Sequence, residues 1–148
     1  MANALVDRSW PILRRAMAGH TLLYRATNGL VGHRIPGVGQ HLLLDHVGAK
    51  SGKKRTTPLL YVQDGDDLVI IASKGGNPRH PAWYHNLRAN PDTEVQVGSE
   101  RRKVHARLAD DDERPRMWAK AVAQYGGYHG YQQRTSRKIP VVVLERRR

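Results

Sequence analysis

The chain has 148 residues, no cysteine, and a formal net charge of +12 from 25 basic and 13 acidic side chains. This length suits one domain with its own core, and the lack of cysteine excludes disulfide bonds and Cys-ligated zinc. The charge indicates a polyanionic partner, either a nucleic acid or a highly charged cofactor. No segment reaches the ~20 apolar residues of a membrane span, and the first residues lack the apolar core of a signal peptide, so we expect a cytoplasmic protein.

The first 40 residues predict a helix followed by a loop. Apolar residues at helical spacing over residues 5–25 predict an amphipathic helix that begins near Ser9, with Pro11 in its first turn. We expect this helix to pack over one end of the fold. Its arginines leave peripheral contact with the inner face of the cell membrane as an alternative. Residues 26–40 are rich in glycine and predict a loop, so residues 1–40 form an N-terminal helix and loop ahead of a β domain at 41–148.

From residue 41 onward the pattern changes to short strands. Six strands are predicted at residues 42–47, 55–63, 68–73, 93–97, 102–108 and 139–144. A hairpin is predicted at residues 64–67, and helices are predicted around Trp83 and after the acidic cluster 110–113. The acidic cluster suits the positive end of the helix dipole better than a metal site. This order predicts one mainly β domain, an antiparallel barrel with helical additions.

Two polar segments carry the clearest chemistry. Residues 48–57 bring Lys50, Lys53, Lys54 and Arg55 together with two glycines and three hydroxyls, a pattern that is typical of phosphate binding. Arg55 is the first candidate because a guanidinium binds phosphate through two hydrogen bonds, and Lys50 is the next. A solvated hairpin tip is the alternative, and the spacing is not that of a Walker loop.

The second segment follows the buried strand at residues 68–72. Ser73, Lys74, Gly75 and Gly76 offer a hydroxyl, a cation and open backbone N–H groups at one point, which suits an anionic, planar cofactor. A tight turn alone would explain the two glycines but not Lys74.

Together, residues 48–61 and 73–91 resemble the deazaflavin-dependent nitroreductase family, whose cofactor is coenzyme F-420. The resemblance runs from about Leu42 to Leu144. It implies a split antiparallel β-barrel of the flavin-reductase and pyridoxamine-phosphate-oxidase type, and hydride transfer from reduced coenzyme F-420 (an 8-hydroxy-5-deazaflavin) to a quinone or nitroaromatic acceptor. The cofactor site that it implies consists of Lys50, Ser51, Gly52, Lys53, Lys54, Arg55, Thr57, Pro58, Leu59, Ala72, Ser73, Lys74, Gly75, Gly76, Trp83 and Asn86.

Three tyrosines recur at every third position, Tyr125, Tyr128 and Tyr131, with glycines between them. Tyrosines among glycines make a poor core and favour a ligand-facing surface. The resemblance implies that they line the acceptor side of the deazaflavin together with Leu60, and that Ser73, Tyr128 and Tyr131 orient the ring or supply a proton. Leu60 replaces an aromatic residue of some relatives, which bears on whether bulky nitroaromatics are reduced.

Two alternatives stay open from the sequence. One is an FMN-binding member of the same barrel superfamily, although FMN carries one phosphate and no acidic tail to match so many cations. The other is a non-catalytic protein that binds a cofactor or nucleic acid, but no helix-turn-helix or aromatic RNA-binding signature supports it, and we expect no nucleic acid. The 8 histidines show no ligand spacing with a carboxylate partner, so no metal is predicted. A G-x-S-x-G elbow, which a serine hydrolase would need, is also missing.

Overall fold

The structure is a computed structural model that describes residues 2–147, with the side chains of residues 11–147. The helices within this range lie at Ala2–Ala26 (α1), Ala82–Ala89 (α2), Arg114–Gln124 (α3) and Gly127–Gln133 (α4). The strands lie at Arg34–Ile35 (β1), Gly39–Val47 (β2), Lys54–Leu60 (β3), Val62–Asp64 (β4), Asp67–Ile71 (β5), Asp92–Val97 (β6), Glu100–Leu108 (β7) and Val141–Arg146 (β8).

The strands form a curled antiparallel sheet. Its order is β1-β2-β6-β7-β8-β5-β4, and β3 pairs with β2 off this path. Strand β2 connects two parts of the sheet, because it pairs with β3 from His41 to Val47 and with β6 at Leu43 and Leu44. The predicted mainly β, split-barrel fold is confirmed. The predicted hairpin is also confirmed, with Asp64 paired to Asp67 across a two-residue turn.

The curled sheet separates two apolar cores. Successive side chains of a strand point to opposite faces, so neighbouring residues of β5 and β8 enter different cores. The interior core contains Leu42, Leu44, Leu68, Ile70, Val142 and Leu144, closed by Trp83 and Leu87 of α2. The outer core contains Val69, Ile71, Val141 and Val143, packed against Met117 and Ala121 of α3 and Tyr128 of α4. These cores fix α2 on one side of the sheet and α3 and α4 on the other.

Helix α1 is longer than predicted. It begins at Ala2 rather than near Ser9, and Pro11 lies inside it rather than in its first turn. The residues before Pro11 include good helix formers such as Ala4 and Leu5, so the helix extends to the N-terminal side of the proline as well. The last turns of α1 pack on the sheet as expected: buried Tyr24 donates its hydroxyl to the His41 carbonyl at 3.0 Å and accepts the Gly98 N–H at 2.6 Å.

Smaller differences from the predicted elements have local causes. The segment predicted as one strand at residues 55–63 is divided at Tyr61, whose N–H donates instead to the Gln40 carbonyl at 3.1 Å. The last strand begins after Pro140, which has no N–H for the ladder. The predicted loop at residues 26–40 contains the two residues of β1. Over the described residues, no helix is both long enough and apolar enough to span a bilayer.

Candidate active site

The turn between β2 and β3, residues 48–53, presents Lys50 and Lys53, and Lys54 and Arg55 follow at the start of β3. We call residues 48–55 the basic turn. Two backbone hydrogen bonds close it, from the Gly48 N–H to the Lys53 carbonyl and from the Gly52 N–H to the Gly48 carbonyl, both at 2.9 Å. Gly52 has a φ of +68°, in the left-handed region that favours glycine. The N–H groups of Lys50 and Ser51 make no hydrogen bond with any residue that the structure describes. The turn is therefore preformed and leaves two backbone donors for a ligand.

The charge on this turn is not neutralised. Lys50, Lys53, Lys54 and Arg55 are exposed and form no ion pair with a residue in the described range. Other basic clusters are partly paired: Arg101 binds Asp45 and Glu94, and Arg102 and Arg146 bind Glu100. Four unpaired cations within six consecutive residues suit phosphate and carboxylate groups.

A buried chain of hydrogen bonds ties the turn to α2. Asn86 accepts the Ala49 N–H on Oδ1 at 2.9 Å, so its Nδ2 faces His46 and donates to Nδ1 at 2.9 Å. The proton of the neutral His46 ring must then be on Nε2, which donates to Thr57 Oγ1 at 2.8 Å. Asn86 was predicted from the sequence, whereas His46 was not, because its role requires β2, β3 and α2 together. The only local signal is a histidine diagonally opposite a threonine in the β2–β3 pair.

This hydrogen-bond chain predicts a loss of stability at low pH. Burial, with a smaller effect of Arg55, lowers the pKa of His46, and Asp45 offsets this only partly. The unfolded state, with a histidine pKa of about 6.5, therefore binds more protons than the folded state below that pH, and stability falls as the pH drops. We expect His46→Gln to reduce the dependence of the unfolding free energy on pH between pH 7.5 and 5.5, measured by urea denaturation.

The matched control for that measurement is His129→Gln, because His129 is exposed on α4. Burial also lowers the pKa values of His33, His41 and His80, and these residues keep part of the pH dependence in every variant. A pH dependence that is the same in His46→Gln and in the unchanged protein would contradict the lowered pKa of His46.

The second predicted segment forms a 3-10 turn at Lys74–Gly76, directly after β5 and Ser73. Lys74, Gly75 and Gly76 have φ angles of +45°, +63° and +80° in succession. A Cβ at Gly76 would lie 2.7 Å from the Tyr131 carbonyl oxygen of α4, so glycine is required there. Ser73 is 9% exposed, and its hydroxyl makes no hydrogen bond within the described chain yet keeps contact with solvent. That hydroxyl is available to a ligand.

The three predicted tyrosines lie close together, with Tyr125 between α3 and α4 and with Tyr128 and Tyr131 on α4. The ring centroid of Tyr125 lies 5.1 Å from that of Tyr128 and 6.0 Å from that of Tyr131, and the Tyr125 and Tyr131 hydroxyls share a 2.8 Å hydrogen bond. Burial and this hydrogen bond raise the pKa of Tyr131 to about 12. Burial also raises the pKa of Tyr128, whose hydroxyl has no partner among the described residues. The hydroxyls of Tyr128 and Tyr131 thus remain protonated at neutral pH.

The predicted site residues fall into two groups. Leu60, Tyr125 and Tyr131 pack against the outer core, which contains Tyr128, and Tyr131 lies next to the Ser73 turn. The other group is centred on the basic turn, where Thr57 and Leu59 lie opposite Leu44 and Leu42 of the interior core. Helix α2 connects the groups, because it follows the Ser73 turn in the chain and anchors the basic turn through Asn86.

Three predicted residues are less available to a ligand. Trp83 and Ala72 are buried in the interior core, and Pro58 is buried opposite Leu43. A separate cavity of about 240 Å³ between α2 and β7 is lined by none of the predicted residues. Among the described residues, no group of three or more His, Cys, Asp or Glu side chains could hold a metal ion.

The available groups fit a phosphorylated, planar cofactor. Unpaired cations and N–H groups lie at one turn, and unpaired hydroxyls lie at the other turn and on α4. On a curled antiparallel sheet, these groups define the split-barrel class of cofactor-binding proteins. The same fold occurs in a Listeria innocua protein provisionally assigned as a pyridoxamine 5′-phosphate oxidase, at 16% identity and a TM-score of 0.53, over 73% of this chain and 84% of that chain. At that identity the likeness concerns the fold alone.

The chain belongs to the F-420H(2)-dependent quinone reductase family, whose model matches residues 16–146. A Mycobacterium tuberculosis protein named F-420H(2)-dependent quinone reductase is 52% identical over 131 residues, which are 86% of this chain and 88% of that protein. The solved structure of F-420-H2-dependent reductase FDR-A has 43% identity and a TM-score of 0.66, over 71% of this chain and 93% of that chain. The predicted oxidoreductase class and the predicted cofactor, coenzyme F-420, are confirmed.

Proposed function

We propose that the protein reduces a quinone with a hydride from reduced coenzyme F-420. The observation that carries this proposal is the packing of the Ser73 turn directly against the tyrosine helix, with the Gly76 backbone against the Tyr131 carbonyl. This packing sets an unpaired serine hydroxyl and a group of protonated tyrosines in neighbouring elements. Family membership supports the choice of cofactor and of a quinone as acceptor.

The basic turn would hold the anionic end of the cofactor. Arg55 and Lys50 would bind its phosphate, and Lys53 and Lys54 would bind its acidic tail, because charge-assisted hydrogen bonds are about twice as strong as neutral ones. The backbone N–H groups of Lys50 and Ser51 add two donors, and their use costs no side-chain conformational entropy. The hydrogen bonds of Asn86 to the Ala49 N–H and to His46 keep this turn in place.

The Ser73 turn and α4 would contact the deazaflavin ring and the quinone. When bound, the reduced cofactor supplies a hydride, and the quinone needs one hydride and one proton to become a hydroquinone. The Ser73 hydroxyl would orient the ring, and the hydroxyls of Tyr128 and Tyr131 would donate to the quinone oxygen. The tyrosine rings and Leu60 would cover a flat acceptor and exclude water.

Turnover with a panel of acceptors tests this function. Loss of reduced coenzyme F-420 is followed by the return of deazaflavin absorbance, with menadione, a nitroimidazole or FMN as acceptor. We expect menadione to support turnover, and we expect bulky nitroaromatics to react more slowly because Leu60 offers no aromatic face. Absence of menadione reduction by folded, cofactor-saturated protein would contradict the proposal.

We further infer that α1 brings the protein to the inner face of the membrane. Ile12 and Leu22 are each 72% exposed, and Leu23 is exposed beside them. Arg14 and Arg15 are exposed on the same helix and form no ion pair within the described residues. Apolar residues next to free arginines suit an anionic lipid surface, where a lipid quinone would also be found.

Vesicle sedimentation checks this contact. We expect the protein to sediment with vesicles that contain phosphatidylglycerol, to remain in solution with pure phosphatidylcholine, and to dissociate as salt rises. The double variant Ile12→Ser/Leu22→Ser should lose this binding, whereas Leu108→Thr, which changes an exposed apolar residue of β7, should keep it. No sedimentation with anionic vesicles, or a stable dimer that covers α1, would contradict the contact.

A further inference from the structure

The side chain of Arg137 is half-buried and binds the segment around the Ser73 turn. Its Nε donates to the Asn77 carbonyl at 2.8 Å, and its Nη2 donates to the Ser73 carbonyl at 2.7 Å. Its Nη1 donates to the Ala72 carbonyl at 3.2 Å and to His80 Nδ1 at 3.1 Å. Four of the five N–H donors of the guanidinium are thus used on one short segment.

The Ser73 turn needs such support. Lys74 has a φ of +45°, which is unfavourable for a residue with a Cβ, and two more residues with positive φ follow it. Conformations of this kind are costly for a residue other than glycine and persist only where the surroundings enforce them. By binding the carbonyl groups on both sides of Lys74, Arg137 fixes the peptide from which the Ser73 hydroxyl projects.

The segment that carries Arg137 is also bound to the tyrosine helix. Gln132, at the end of α4, donates from Nε2 to the Arg137 carbonyl at 2.8 Å and accepts the Ile139 N–H on Oε1 at 3.0 Å. The backbone of Arg137 is therefore held by α4, while its side chain holds the Ser73 turn. One residue joins the two elements that would face the deazaflavin and its acceptor.

We propose that Arg137 is a positioning residue for hydride transfer, and this rests on the proposed function. It acts through the backbone of the Ser73 turn, which it keeps in register with Tyr128 and Tyr131. A lysine cannot replace it, because one ammonium cannot present the planar fork that reaches three carbonyl groups and His80. The phosphate-binding cations lie on a different turn, so the proposal separates turnover from cofactor affinity.

Arg137→Ala and Arg137→Lys test this role, with Lys138→Ala as the matched control. Lys138 is the next residue, its side chain is 68% exposed, and its ion pair with Asp111 is long, at 3.7 Å. At saturating cofactor and menadione, we expect both Arg137 variants to lose about 10- to 100-fold in kcat, since small displacements of reacting groups have effects of this size. The dissociation constant of coenzyme F-420 should change less than about threefold. Added methylguanidinium should restore part of the turnover of Arg137→Ala and none of Arg137→Lys.

Amide hydrogen exchange gives a readout that does not depend on turnover. In the Arg137 variants, exchange should become faster at residues 73–77 and in α4, while β6 and β7 keep their protection. Unchanged exchange at residues 73–77, or an unchanged kcat, would overturn the positioning role. A fall in kcat that only matches the fraction of unfolded protein would overturn it as well. If the unchanged protein fails to reduce menadione while exchange responds to Arg137, the proposed function fails and the structural link between the two elements stands.

Discussion

Ser73→Ala is expected to lower kcat for quinone reduction roughly 100-fold, the size of effect seen when one aligned donor is removed from an active site. The Ser73 hydroxyl makes no hydrogen bond within the described residues and reaches solvent at the end of β5. Its removal therefore leaves no internal partner unsatisfied, and the unfolding free energy should change by less than about 0.5 kcal/mol. Single-turnover oxidation of bound, reduced coenzyme F-420 measures the effect without interference from substrate binding.

Two further variants make the Ser73 result specific. Ser73→Thr keeps a hydroxyl at the same position and should restore much of the rate. Ser99→Ala removes a hydroxyl from an exposed turn between β6 and β7 and should have no effect. If Ser73→Ala keeps a rate within twofold of the unchanged protein, Ser73 does not orient the ring, and the tyrosines of α4 become the candidates for that role.

Arg55→Ala is expected to weaken the binding of coenzyme F-420 by roughly 1.5–3 kcal/mol, the range for a hydrogen bond to a charged group. This corresponds to about a 10- to 150-fold increase in the dissociation constant. Arg55 is exposed, has no ion-pair partner in the described part of the chain, and lies opposite His46 in the β2–β3 pair. Fluorescence titration of the oxidised cofactor measures the change, and kcat at saturating cofactor should stay close to that of the unchanged protein.

The control for Arg55 is a cation of equal charge on another strand. Lys103→Ala removes an exposed positive charge from β7, so it tests whether the net charge alone accounts for the loss. We expect this variant to bind the cofactor nearly as well as the unchanged protein, and we expect the effect of Arg55→Ala to shrink at high salt. Equal losses in both variants would show that the cofactor responds to overall charge rather than to the turn.

The sequence was most informative where structure depends on neighbouring residues. The strands, the 64–67 hairpin and the glycines of the Ser73 turn follow from local patterns, and each lies close to its predicted place. The predicted start of α1 near Ser9 is wrong, because a proline also fits inside a helix when good helix formers precede it. Trp83 is among the residues predicted for the cofactor site; it lies in the interior core, and its contact with the cofactor stays a prediction.

Residues that act through distant partners could not be predicted from the sequence. Arg137 lies 64 residues after Ser73, and in the sequence it is only one of the basic residues that give the chain its net positive charge. His46 and Asn86 are 40 residues apart, and their hydrogen bond exists only once α2 has packed beside β2. In both cases a polar side chain satisfies backbone or buried groups that the fold creates, and no local motif specifies such a partner.

One titration tests most directly whether the basic turn is an anion site for the cofactor. The protein is titrated into coenzyme F-420 and, in parallel, into the deazaflavin without phosphate and acidic tail, with FMN as a third ligand. The unpaired cations at residues 50–55 predict the tightest binding for coenzyme F-420, an advantage that Arg55→Ala and added salt both reduce. Equal affinity for the cofactor with and without its anionic end would contradict the site described here, and preference for FMN would contradict the choice of cofactor.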